Sequence, residues 1–130
     1  MASELRVNTL KDAAGSNSVA MQYVANGSAK AWVNFDGTGT PATTYSFGVS
    51  SLDDNGTGNY DVNYTTAFSN NRYGAMITVS DKPGSHNDNV GVIVSGSMAA
   101  GSLRMYTYRS STAAQNDLPI ITQVSHGDLA

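Results

Sequence analysis

Cysteine is absent from this chain. That removes disulfide bridges, thiolate metal ligands and cysteine nucleophiles together, and leaves the redox compartment open. Charge is sparse too: Asp, Glu, Lys and Arg make up 13% of the 130 residues, against roughly 25% in an average domain. Long solvated helices and charged disordered tails need more than this. The seven Lys and Arg are scattered and the formal net charge is −3. Phosphate backbones are bound by clustered basic side chains, so nucleic acid is not an expected partner. No run approaches the roughly 18 apolar residues of a membrane-spanning helix, and membrane insertion is not expected. The opening MASELRVNTLKDAAGS has no apolar run of signal-peptide length and carries Glu4, the sole glutamate. The expectation is a complete chain that leaves its producing cell by lysis or inside an assembly.

What takes the place of charge is Ser, Thr, Asn and Gly, a balance suited to twisted, turn-rich β structure. The length fits one domain. Residues 1–28 differ in texture from the rest. Leu5, Val7 and Thr9 alternate, Leu10 breaks the alternation, a small-residue stretch follows, and Val19, Met21 and Tyr23 alternate again. Two short strands are expected there, in an arm too poor in apolar positions to stand alone. It should dock on its own domain, on a sister subunit or on a larger scaffold.

From residue 29 the period-2 pattern is strong. Ala29, Ala31, Val33 and Phe35 share one strand face; Lys30, Trp32 and Asn34 share the other. Trp32, the sole tryptophan, should cover a second apolar patch or a subunit contact. Tyr45, Phe47 and Val49 form the next strand face. Residues 53–58, DDNGTG, form a hairpin turn with Asn-Gly supplying positive φ, and Tyr60, Val62 and Tyr64 follow as a half-exposed antiparallel strand. Further strands are expected through Tyr73, Ala75, Ile77 and Val79; through Val90, Val92 and Val94; through Leu103, Met105 and Thr107, with Arg104, Tyr106 and Tyr108 on the opposite face; and through Leu118, Ile120, Thr122 and Val124. Residues 96–101 should interrupt the pattern, with one short turn at 97–101. Many short strands with glycine turns predict an all-β fold: an antiparallel β-sandwich with Greek-key or jelly-roll-like connections, spanning residues 29–130 behind an extended N-terminal docking arm, 1–28.

Candidate chemistry is thin. Asp53-x-Asn55-x-Thr57-Gly58 echoes the start of a calcium loop, but the twelfth position is Tyr64 where a bidentate carboxylate belongs, and a hairpin turn explains the same residues. His86 lies between Asp81 and Asp88, and His126 lies near Asp128, without metal-ligand spacing. Gly48-Val49-Ser50-Ser51 lacks the closing glycine of a nucleophile elbow. No catalytic residue, metal site or cofactor is expected, and an enzyme is not the favoured class. Tyrosines on the expected strands suit either a β core or a contact surface. The candidate interaction residues are Leu5, Val7 and Leu10 in the arm, with Trp32, Tyr106 and Tyr108 on the strands.

The segments AWVNFDGTGT and SFGVSSLDDNGTGNYDVNYTTAF, with the lead-in SELRVNTLKDAAGS, resemble a module of tailed-phage tail-fibre and virion-fibre proteins, many of them from marine and cyanobacterial phages. Lys30, Trp32, Asn34, Phe35, Gly37, Gly39, Asp54, Asn55, Gly56, Gly58, Tyr60, Val62, Asn63, Tyr64 and Phe68 carry the likeness, strongly over residues 29–68 and loosely after Tyr73. The resemblance implies a non-enzymatic virion component assembled in the host cytoplasm. It would be a short trimeric tail or head fibre attached to a capsid, tail or fibre-attachment protein, and its ligand could be a host surface polysaccharide. The chain is short and has no heptad repeat to enforce trimerisation. A capsid decoration protein whose arm clips onto the head is therefore the second reading, and a free carbohydrate-binding module the third. In the fibre reading, loops 36–44, 81–89 and 110–117 would carry receptor contacts.

Overall fold

The computed structural model describes residues 3–81 and 88–130. It is an all-β sandwich. Eight strands make the two layers. β3 (Ala29–Asp36), β4 (Ala42–Phe47), β7 (Gly74–Ser80) and β11 (Ile120–His126) form one sheet in the order β4-β3-β11-β7. β5 (Val49–Asp54), β6 (Asn59–Tyr64), β9 (Ser102–Arg109) and β8 (Asn89–Ala99) form the other, and the two-residue β10 (Ala114–Gln115) pairs with the end of β9. All pairings are antiparallel. The β3–β4, β5–β6 and β8–β9 pairs are hairpins within a sheet. The chain changes sheets after β4, β6, β7 and β10, and the last strand returns to lie beside β3, the first of the sandwich, a Greek-key-like closure.

The alternating residues of the sequence become the two inner faces. Ala31, Val33, Phe35 and Ile121 of one sheet meet Tyr60, Val62, Leu103 and Met105 of the other, all essentially buried. Phe35 and Tyr60 pack edge to face at 5.2 Å between ring centroids, an arrangement favoured by the ring quadrupoles. At one end of the core Tyr64, Phe68 and Tyr73 form an aromatic box, with Phe68 and Tyr73 stacked at 4.1 Å.

Several expectations are corrected. The residues after Ala20 do not continue as a strand. β1 (Thr9–Lys11) and β2 (Ser18–Ala20) make a small hairpin, and Met21–Gly27 winds into a helix, α1. Seven residues, MQYVANG, fit either periodicity, and Met, Gln and Ala are good helix formers. The alternation of Leu5 and Val7 forms no strand of its own. The strand through Tyr45 does not run on past Phe47. Gly48, at φ +68, breaks it and carries the chain to the other sheet. A Cβ there would lie 2.4 Å from the Lys30 carbonyl oxygen, so both conformation and space require glycine. The interruption expected at 96–101 is a bulge instead: β8 runs on to Ala99 with a register shift between Ile93 and Met98, and the turn falls at Ala100 and Gly101. In the 55–58 turn the positive φ values belong to Gly56 and Gly58, not to Asn55.

The last strand faces the opposite way from its hydropathy. Ile121, Gln123 and Ser125 point inward and are fully buried, while Ile120 is exposed and Val124 lies on the outer face. Register decides this, because Ile121 sits opposite the core residue Phe35. Hydrogen bonding accommodates Ser125 and half of Gln123, whose Oε1 is buried without a partner among the described residues. Gln123 Nε2 donates to Ser125 Oγ at 2.5 Å, and Ser125 Oγ also bonds the Tyr64 hydroxyl at 2.9 Å.

Candidate functional site: a two-ended sandwich

Strand register sorts the connections into two ends. At one end the last residues of β3 pair with the first of β4, Ser80 pairs with Ile120, and Arg109 pairs with Asn89. The loop after Asp36, the turn at 55–58, Asp88 and the 110–117 loop all emerge here. The described parts of the three loops expected to carry recognition therefore lie together; residues 82–87, with His86, fall outside the described residues. At the other end the arm enters β3, β4 crosses to β5 through Gly48, and residues 65–68, the turn at Ala100 and Gly101, and His126 gather.

The loop end is held by a polar knot. Asp117 Oδ1 accepts the Gly58 N–H at 2.6 Å and the Tyr60 hydroxyl at 2.7 Å, and that hydroxyl also lies 3.0 Å from the Gly37 carbonyl oxygen. The Gly37 N–H donates to the Leu118 carbonyl at 2.9 Å. Burial, reinforced by the Asp117 carboxylate, pushes the Tyr60 phenol well above its ordinary range, so it stays a donor. Thr107, fully buried, donates its hydroxyl to the Asn116 carbonyl at 2.7 Å. Three connections are thereby locked to one another. Asp88 Oδ2 accepts from the Ser111 N–H at 2.6 Å and the Ser110 hydroxyl at 3.0 Å, and hydrogen bonding from the Ser111 side chain first, then from Ser110, holds its carboxyl below the usual value. Asp36 is held down in the same way, chiefly by the Thr38 hydroxyl.

The carboxylates at and beside the calcium-like turn are engaged, two within the hairpin and one with β9. Asp53 accepts from Asn63 at 2.9 Å, Asp54 accepts from the Gly56 N–H at 2.9 Å, and Asp61 forms a two-pronged pair with Arg104 at 2.7 Å. Among the described residues no three of His, Cys, Asp and Glu gather as a metal set. No described helix is long and apolar enough to cross a membrane.

The interaction candidates separate onto three surfaces. Leu5, Val7 and Leu10 lie on the arm and are 80%, 37% and 41% exposed. Trp32 lies half-buried on the outer face of the β4-β3-β11-β7 sheet, opposite Val124 on one side and Phe47 on the other. Tyr106 and Tyr108 lie on the outer face of the other sheet, opposite Val92 and Val90. One flat contact cannot include both Trp32 and the two tyrosines.

Sequence reasoning did not single out Tyr45, Phe47, Met76 and Ile120, exposed residues on the same face as Trp32. Period 2 reports which residues share a face but not which face is covered. The break at Gly48 was the available sign that β4 leaves the core.

The chain matches no protein-family profile, no curated protein and no solved structure.

Proposed function

We propose that this chain is a non-enzymatic structural component of a bacteriophage particle: a short trimeric tail or head fibre that presents its sandwich for host-surface recognition, with polysaccharide as the ligand class. The fibre resemblance of residues 29–68 motivates the reading. The observation that carries it is the polarity of the fold. The arm leaves from one end, and the loops suited to recognition are knotted together at the other. An attachment element and a display element belong at opposite ends of a fibre.

Capsid decoration is the second reading, favoured by the apolar character of the arm. Leu5, Val7, Leu10, Val19, Tyr23 and Val24 are all exposed there, as a clip onto another protein would require. Immunogold electron microscopy of phage particles with antibodies raised against the full chain tests both. Label at the tail or on head projections supports a fibre, and label spread over the capsid lattice supports decoration. Particles that carry the gene but bind no antibody would refute the virion assignment.

A further inference from the structure

The described chain exposes eleven large hydrophobic residues. Six belong to the arm. Tyr45, Phe47, Met76 and Ile120 all lie on the outer face of the β4-β3-β11-β7 sheet, and Leu129 is the remaining one. The outer face of the other sheet has none, and carries the Asp61–Arg104 pair instead. Strongly exposed apolar side chains therefore concentrate on two surfaces, while the other sheet's outer face holds the half-buried Val90, Val92, Tyr106 and Tyr108.

On the sheet, register aligns the side chains into rows. Met76, Val124, Trp32 and Phe47 stand directly opposite one another across all four strands. The next row is Thr78, Thr122, Asn34 and Tyr45, in which Asn34 Nδ2 donates to Thr122 Oγ1 at 2.8 Å. β4, at the edge, pairs with β3 alone among the described residues, and every one of its residues is exposed. Its sequence ATTYSF has no charge and no proline, the usual devices that stop an edge from pairing. An open recess of about 460 Å³, lined by Ser28, Lys30, Phe47, Gly48 and Leu129 among others, lies beside Phe47.

The other surface is the arm. Its hydrogen bonds among the described residues stay within the arm, as from Met21 N–H to Asn8 and from Asn17 to Asp12, apart from the one that Lys30 Nζ donates to Ser28 Oγ at the junction, at 2.7 Å. Ser28, the one residue between α1 and β3, is extended at φ −79, ψ 143. A single extended residue leaves no loop with which to double the arm back over its own sheet. Size points the same way. Four strands of about seven residues make a face of roughly 19 by 23 Å, on the order of 400 Å². A standard interface buries about 800 Å² per partner. Two such faces pressed together fall short of that.

We propose that the outer face and free edge of the β4-β3-β11-β7 sheet are the docking site for residues 3–28 of a second copy of this chain. It rests on the assembled state proposed above, but not on the particle that state would serve. Each copy gives an arm to one neighbour and receives one from another. Such a head-to-tail contact closes into a ring when its rotation allows, and a trimer is one such closure.

The native chain has no cysteine, so cross-linking reads the contact cleanly. The doubly substituted Val7→Cys, Phe47→Cys chain is oxidised at low concentration and run on non-reducing gels. Covalent multimers are expected. An internally bridged monomer would place the arm on its own sheet and overturn the proposal, and so would a monomer with two free thiols. In parallel, light scattering follows Phe47→Asp with Met76→Asp, and Leu5→Asp with Val7→Asp. Phe47 and Met76 are 59% and 60% exposed, and circular dichroism checks that the sandwich persists. Either pair should reduce an oligomer to monomer. An oligomer that survives both pairs, or that depends on the sheet pair alone, would overturn it.

Discussion

Removing a single oxygen from the loop end should be measurable. In Tyr60→Phe the ring keeps its place in the core and its edge-to-face contact with Phe35. What goes is the hydroxyl that donates to Asp117 at 2.7 Å. A hydrogen bond to a charged acceptor contributes about 1.5–3 kcal/mol. Asp117 Oδ1 keeps the Gly58 N–H, so it is not orphaned, and the lower part of that range applies. The expected loss is about 1.5–2 kcal/mol, a fall in Tm of about 5–10 °C for a domain of this size. Urea unfolding followed by circular dichroism should show a lower midpoint with an unchanged slope. Combined with Asp117→Ala, the two losses should fall short of additivity by about 1 kcal/mol or more, because both remove one interaction. A Tyr60→Phe chain within about 0.5 kcal/mol of the parent, or strict additivity, would refute the idea that this knot holds the loop end.

Three further expectations follow from the packing and the charges. Gly91→Ala places a methyl 2.3 Å from Ile77 Cγ2 where β8 passes β7, and overpacking of this kind should cost about 1–3 kcal/mol by denaturant unfolding; adding Ile77→Ala should recover part of it. Gly48→Ala combines a left-handed backbone with a carbonyl clash and should cost about 2 kcal/mol or more, read in the same assay. Arg104 holds the Asp61 carboxyl below its ordinary value of 3.8, mainly through their hydrogen bonds. A depressed carboxyl contributes stability at pH above its unfolded value and loses it as pH falls through the folded one. The stability gap between the parent and Arg104→Gln should therefore be full near neutrality and shrink as the pH falls below about 4; a gap that widens in acid would reverse the assignment.

Much of the fold was legible because one period dominates. On β6 the apolar residues alternate without exception, and on β3 and β9 they alternate on the buried face although Trp32, Tyr106 and Tyr108 stand on the other. The last strand was not legible, because its inward face carries Gln123 and Ser125. Only the three-dimensional position of Tyr64 gives Ser125 its partner across the core, and Gln123 is bonded in turn through Ser125 by its Nε2 alone. The helix at Met21–Gly27 was hidden by its length, since seven residues satisfy either period. Of the site, the loops could be named from their Gly, Asp and Asn content. Their gathering at one end depends on register between strands far apart in sequence, as in Arg109 with Asn89. The apolar stripe through Trp32 likewise joins four strands whose order no local pattern contains.

The central claim is that this chain works as an assembly built through its arm. The most direct test is the solution mass of the unmodified full chain, by light scattering behind a sizing column. The account predicts three times the mass of one chain, stable to dilution. A clean monomer across the concentrations tested would contradict both the arm's seat on a second copy and the trimeric fibre.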